Sequence, residues 1–281
     1  MTTKRAIVIV APTFESAFAA ELQRHLLDLA GSIGEWCDIE PLTDDPGVQT
    51  TRLLSIRRRV SPKALVAISV RPTADVIAAY RAAGAPVVLL DEEAPGAASV
   101  STDNEVGGYL AGKHLLLTGR KFLSVITGRV NAPGGMNARL RLAGFRRALA
   151  EVRLTPTVHI EVDYSRRDGE ECFLRAQEHA DGVFCAAGDT CAIGLIAGAR
   201  ARKVRVPEDF AIVGYDNLPL AEIWGLTTIR QPFAEMAEAA YRMTVVEPSQ
   251  TLASPQKRVF TPKPIIRGST AELTTETKKA S

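Results

Sequence analysis

The run Gly182-Val-Phe-Cys-Ala-Ala-Gly-Asp189, helical periodicity over 189–202, and then Phe210-Ala-Ile-Val-Gly-Tyr-Asp216 read as strand, helix, strand. The apolar runs do not alternate with polar residues, as expected of strands buried on both faces of a parallel sheet. The same unit recurs on either side. Strands are predicted at 121–127, 157–162, 182–186, 210–214 and 227–230, with helices at 104–118, 137–150, 168–179 and 189–202. An earlier set has strands at 6–11, 37–42, 64–69, 86–90 and 99–102. Its helices lie at 47–59, at 73–83 and around Phe18, Leu22, Leu26 and Leu29. One more amphipathic helix is predicted at 233–247, a loop at 248–257, and an extended segment at 259–266 broken by Pro262 and Pro264. Two successive βαβ sets predict an α/β protein with parallel sheets covered by helices.

The 281 residues suffice for one large α/β unit or two lobes. Hydrophobic residues at 46% and charged residues at 23% are globular proportions. The balance of 34 basic against 32 acidic side chains lacks the basic excess of a DNA-reading surface. Arg57, Arg58 and Arg59 read as a solvated helix end that complements the helix dipole. The four cysteines show no C-x-x-C spacing and predict free thiols in a reducing, cytoplasmic setting. The N-terminal apolar run is too short for a membrane span. There is no G-x-G-x-x-G, no P-loop ending and no G-x-S-x-G elbow, and His25, His114, His159 and His179 lack ligand spacing. No enzyme, no metal and no cofactor are therefore expected.

Chemistry gathers at strand ends. Asp91, Asp189 and Asp216 each follow an apolar run, and Arg139 opens the helix after 121–127 and its loop. Parallel sheets bind ligands at the carboxyl ends of their strands. Carboxylates accept hydrogen bonds from hydroxyl groups and a guanidinium donates a planar fork, a mixture suited to a polyhydroxylated ligand. Singly, Asp189 reads first as the cap of helix 190–202, Asp91 as a turn residue, and Arg139 as half of a surface pair. Their recurrence at several strand ends supports the joint reading.

Four ordered blocks carry a resemblance: Asn137-Ala-Arg-Leu-Arg-Leu-Ala-Gly-Phe145, Val206-Pro-Glu-Asp-Phe-Ala-Ile-Val-Gly-Tyr-Asp-Asn217, Leu226-Thr-Thr-Ile-Arg-Gln-Pro232 and Ile266-Arg-Gly-Ser-Thr270. With them the chain resembles the effector-binding core of LacI/GalR-family transcription regulators over nearly its whole length, more weakly over the first hundred residues. The resemblance implies two Rossmann-like lobes of periplasmic-binding-protein type I, joined by three crossovers. The N-terminal lobe would comprise 1–102 plus 233–262, the C-terminal lobe 103–230 plus 263–273, and 274–281 a disordered tail. It places effector contacts on Asp91, Arg139 and Asp216, a cleft wall on Phe14, Glu15 and Ser16, and a stacking aromatic on Tyr164. Thr102, Gln231 and Phe233 would lie at the crossovers beneath an interlobe cleft. Gly188-Asp189 departs from the family's Asn-Asp. The missing carboxamide removes a donor and an acceptor, and the glycine leaves room for a bulkier ligand.

The expected protein is a cytoplasmic, homodimeric sensor whose lobes close on a small sugar-like effector. It would reach operator DNA only through an N-terminal helix-turn-helix not found in this sequence, and no membrane. The alternative is a solute-binding protein of a sugar transport system whose signal peptide has been removed.

Overall fold

The computed structural model describes residues 6–12, 16–43, 45–132 and 134–270. They form two compact units. One ends at Thr102 and takes up Pro232–Phe260; the other is Asp103–Gln231 and resumes at Thr261.

The first unit alternates strand and helix: β1 Ile7–Pro12, α1 Ala17–Ser32, β2 Cys37–Leu42, α2 Pro46–Val60, β3 Ala64–Ile68, α3 Ala74–Ala82, β4 Val87–Leu90 and β5 Ala98–Thr102. Helix starts follow local chemistry. Ser16 accepts from the Ala19 amide at 3.2 Å, and Asp45 accepts from the Val48 amide at 2.8 Å ahead of Pro46. Arg57, Arg58 and Arg59 occupy the last turn of α2, as the sequence suggests, and Arg59 also pairs with Glu40.

The second unit runs α4 Asn104–Leu117, β6 Leu123–Thr127, α5 Met136–Ala150, β7 His159–Glu161, α6 Arg166–Gln177, β8 Gly182–Cys185, α7 Asp189–Ala201, β9 Ala211–Asp216, α8 Pro219–Ile223 and β10 Thr227–Arg230. The chain then returns to the first unit as α9 Phe233–Tyr241, a π-helical turn at Arg242–Val246, α10 Pro248–Ala253 and β11 Lys257–Phe260, and ends in the second with β12 Lys263–Ile265.

Each sheet has six strands, ordered β2-β1-β3-β4-β5-β11 and β7-β6-β8-β9-β10-β12. All pairs are parallel except β10–β12, which is antiparallel. The expected parallel sheets are found, with this one antiparallel edge. Pro262 divides the predicted extended segment, and its halves serve as edge strands of different sheets, where a proline is tolerated. The stretch predicted as a loop at 248–257 contains α10, and α8 was not foreseen. Both helices begin on proline at the first turn, where the missing N–H has no intrahelical partner to lose. The single helix predicted at 233–247 is α9 followed by the π turn.

Strand alternation builds two cores on the second sheet. Ile126, Val183, Cys185 and Ile212 face Phe173, Cys191 and Leu195 of α6 and α7. Val125, Phe184, Val213 and Tyr215 face Leu115 and Phe145 of α4 and α5. Each fully buried large side chain stabilises the fold by roughly 1.5–3 kcal/mol. The helix pairs approach closely through glycine. A Cβ on Gly108 would overlap the Arg141 carbonyl oxygen, and one on Gly144 the Glu105 carbonyl oxygen. Gly169 and Gly194 play the same part between α6 and α7.

Candidate functional site

In the second unit, the carboxyl ends of β8, β9 and β10 bring Gly188, Asp189, Asp216 and Gln231 close together. The chain turns sharply after β9: φ is 111° at Asp216 and 61° at Asn217. Conformations of this kind in non-glycine residues cost on the order of 1–3 kcal/mol each and need support from their surroundings. Gln231 supplies part of it, donating its amide to the Asp216 carbonyl at 3.2 Å and Nε2 to Asp216 Oδ1 at 2.7 Å. Gln231 is 1% exposed, and its Oε1 has no hydrogen-bond partner among the described residues.

Asp189 supplies more of that support. It is fully buried; Oδ1 accepts from Thr228 Oγ1 at 2.6 Å and Oδ2 from the Leu218 amide at 2.8 Å. Gly214 makes this possible, since a side chain there would overlap Asp189 Oδ1. The cap of α7 is Gly188, without a side-chain bond, and Asp189 is the first helical residue, so the capping reading of Asp189 is corrected. Burial, and then the neighbouring Asp216, push the Asp189 carboxyl above the ordinary carboxylate range; the bonds from Thr228, Leu218 and Asn217 oppose that rise. With both oxygens engaged in the interior, Asp189 holds the corner that carries Asp216. Gly188 has a φ of 103°, and a Cβ there would come within 2.8 Å of Asp216 Oδ2. The glycine is thus a steric condition for this placement of Asp216.

A guanidinium reaches the same strand ends, but it belongs to Arg141. Arg141 is 7% exposed. Its Nε donates to Asn104 Oδ1 at 2.7 Å and Nη1 to the Ala186 carbonyl, just past β8, at 2.9 Å. The guanidinium carbon lies 3.7 Å from the centre of the Tyr215 ring, and Tyr215 Oη donates to Asn104 Oδ1 at 3.1 Å. Asn104 Nδ2 reaches Asn137 Oδ1 at 2.9 Å. Arg139 is exposed instead; Nη1 donates to the Val130 carbonyl and Nη2 lies 3.8 Å from Met136 Sδ, both on the preceding loop and helix start. The sequence does hold a signal for Arg141. It lies three residues before Gly144 and four before Phe145, on the same helix face as Ala138 and Leu142, so it is a charge on the apolar stripe.

Tyr164 is 49% exposed, with a φ of 72°, in the connection from β7 to α6. Its hydroxyl occupies the space a side chain on Gly128 would need, which sets the ring against the end of β6. Thr127, the last residue of β6, bonds His159 Nε2 through Oγ1 at 2.8 Å.

In the first unit, Asp91 follows β4 with a φ of 68°, and its Oδ2 accepts from Ser69 Oγ, after β3, at 3.2 Å. Burial, and then the Asp91 charge, raise the adjacent Glu92 carboxyl. The Ser16 hydroxyl is engaged as the cap of α1. Thr102 is buried and donates to Met236 Sδ at 3.4 Å, and Phe233 stacks edge-on to Phe18 at 5.5 Å. Both of these contacts lie within the first unit. Phe14 and Glu15 lie outside the described residues. Among the described residues no group of three or more His, Cys, Asp or Glu side chains could hold a metal, and no helix is long and apolar enough to cross a membrane.

Two α/β units with mostly parallel sheets, the chain passing repeatedly between them, and polar groups on the strand ends define a binding protein of the two-lobed periplasmic type. The family model of the periplasmic binding protein-like domain matches residues 113–270, more than half of the chain. The chain belongs to that family, as the effector-binding core of a LacI-family transcription regulator. It is 29% identical over 286 residues to the HTH-type transcriptional regulator DegA of Bacillus subtilis, spanning 98% of this chain and 84% of that protein. It is 27% identical over 286 residues to the HTH-type transcriptional repressor PurR of Haemophilus influenzae, spanning 97% and 83%. A LacI family transcriptional regulator from Enterococcus faecium with bound ribose superposes with a TM-score of 0.85 at 25% identity, covering 95% of this chain and 99% of that one. These relatives are transcription regulators, not enzymes.

Proposed function

We propose that the protein senses a small polyhydroxylated effector at the strand ends of the Asp103–Gln231 unit, with Asp216 and Arg141 as its principal polar contacts. The observation that carries this reading is the buried Gln231 Oε1, an acceptor without a partner beside a fixed carboxylate. A buried acceptor left unmet costs about 1–3 kcal/mol, and an effector hydroxyl that donates to it removes that cost. Asp216 accepts from a second hydroxyl, and Arg141 donates to an effector oxygen. Tyr164 offers an apolar ring for the C–H face of a sugar. The ribose held by the E. faecium relative supports this class, while the room the sequence suggested at Gly188 is taken up by the Asp216 carboxylate.

In this reading the effector acts through its differential affinity for two arrangements of the protein. The output is operator binding by a cytoplasmic homodimer through an N-terminal helix-turn-helix, the kind of domain named in DegA and PurR. Arg139 remains the competing choice for the arginine. The test is a thermal-shift and calorimetric panel of pentoses, hexoses, polyols and nucleosides, D-ribose included. A true effector at a hundred times its Kd adds about 2.7 kcal/mol of stability. Asp216→Asn should weaken its binding by about 1.5–3 kcal/mol. A wild-type protein stabilised by no hydroxylated compound, or an Asp216→Asn variant that binds like wild type, rejects the reading.

A further inference from the structure

We infer that Arg267, on the C-terminal segment, is a positioning residue for the effector site, fixing through Asn217 the corner from which Asp216 projects. The inference rests on the proposed role of Asp216.

Arg267 Nη2 donates to Asn217 Oδ1 at 2.8 Å, and the two residues lie 50 positions apart in the chain. Asn217 is the second of two consecutive non-glycine residues with positive φ, so its backbone does not hold itself in place. Its amide donates to Thr228 Oγ1 at 3.3 Å and also bonds the Asp189 carboxylate, so the backbone is held from the β10 side and the side chain is left to another partner. The Arg267 contact holds the side chain of the same residue. Arg267 is itself firmly anchored. Its amide donates to Thr227 Oγ1 at 2.8 Å, its carbonyl accepts from that hydroxyl at 2.9 Å, and Nη1 donates to the Leu226 carbonyl at 2.8 Å. A planar guanidinium pinned at Nη1 has little freedom left at Nη2.

The segment behind Arg267 is equally fixed. The Ser269 amide donates to the Gly225 carbonyl, the Ile212 amide to the Ser269 carbonyl, both at 2.9 Å, and the Thr227 amide to Ser269 Oγ at 2.8 Å. His114 Nε2 bonds Thr270 Oγ1 at 2.9 Å. The Ile-Arg-Gly-Ser-Thr segment therefore stitches the starts of β9 and β10 together, and the Arg267 side chain carries that rigidity across to the corner beyond the far end of β9. A role confined to stability would need the stitching but not this one bond.

The experiment compares wild type, Arg267→Met and Asn217→Asp by amide hydrogen exchange of residues 214–218 and by D-ribose titration, at a temperature where all are folded. Arg267→Met should speed exchange in 214–218 roughly tenfold and leave the rest of the second sheet at its wild-type rate. It should also raise the Kd for D-ribose roughly tenfold. Asn217→Asp, whose carboxylate accepts the same guanidinium, should stay near wild type in both. Exchange in 214–218 that is unchanged, exchange raised uniformly over the unit, or a Kd that ignores a loosened corner each overturns the inference. If Arg267→Met does not fold, Asn217→Ala removes the same bond from the other side and is read the same way. If wild type binds no D-ribose and no other sugar, it is the effector class that fails, and the exchange comparison still decides the role of Arg267.

Discussion

Arg141 is held between an amide oxygen, a backbone carbonyl and an aromatic ring, whereas Arg139, two positions earlier, lies on the surface. The difference makes a sharp prediction. Arg141→Met leaves Asn104 Oδ1 and the Ala186 carbonyl without that donor, and urea unfolding should show a loss of about 1–3 kcal/mol. It should also abolish the stabilisation by an effector. Arg139→Ala should unfold within about 0.5 kcal/mol of wild type and keep the effector response. If Arg139→Ala loses the response and Arg141→Met keeps it, the assignment is reversed.

Histidine protonation gives a second prediction at this scale. Burial lowers His114 below its ordinary value of 6.5; burial, and then the Arg146 charge, lower His159 in the same way. The unfolded chain thus takes up protons at a higher pH than the folded one. The stabilisation is present above the ordinary histidine value and is lost as pH falls through it toward the lowered folded values. Melting temperature should fall between about pH 7 and about pH 5, and His114→Gln with His159→Gln should flatten that fall. A double variant with the wild-type slope would remove the histidines from the account.

At the scale of elements, the close crossing of α4 and α5 places Arg141 against Asn104. Gly108→Ala and Gly144→Ala insert a methyl where a carbonyl oxygen already lies, and neither oxygen can yield without moving a helix. Each should destabilise the protein by about 1–3 kcal/mol in chemical unfolding. Most strands and helices were readable at this scale, because apolar runs and three-to-four-residue periodicity are local facts. The stretch 248–257 reads as a loop from its proline, serine and glutamine content, although Pro248 stands at the first turn, where it starts a helix. The antiparallel direction of β12 was not legible, because nothing within Lys263–Ile265 records which way its neighbour runs.

For the molecule as a whole, two six-stranded sheets and a match across most of the chain place it among effector-binding cores of transcription regulators. The proposed homodimer should appear as a two-chain mass by size exclusion with light scattering, and a monomer at tens of micromolar would count against it. The order of the strands and of all helices but α8 and α10, the α/β class and the resemblance of four motifs were present in the sequence alone, since each depends on residues close together in the chain. The tertiary structure decided which arginine turns inward, that Asp189 is an interior brace rather than a helix cap, and that Gly188 and Gln231 bound the space around Asp216. Those outcomes depend on helix phase, on backbone torsion at one corner and on atoms dozens of residues apart meeting within hydrogen-bond distance, none of which a local pattern encodes.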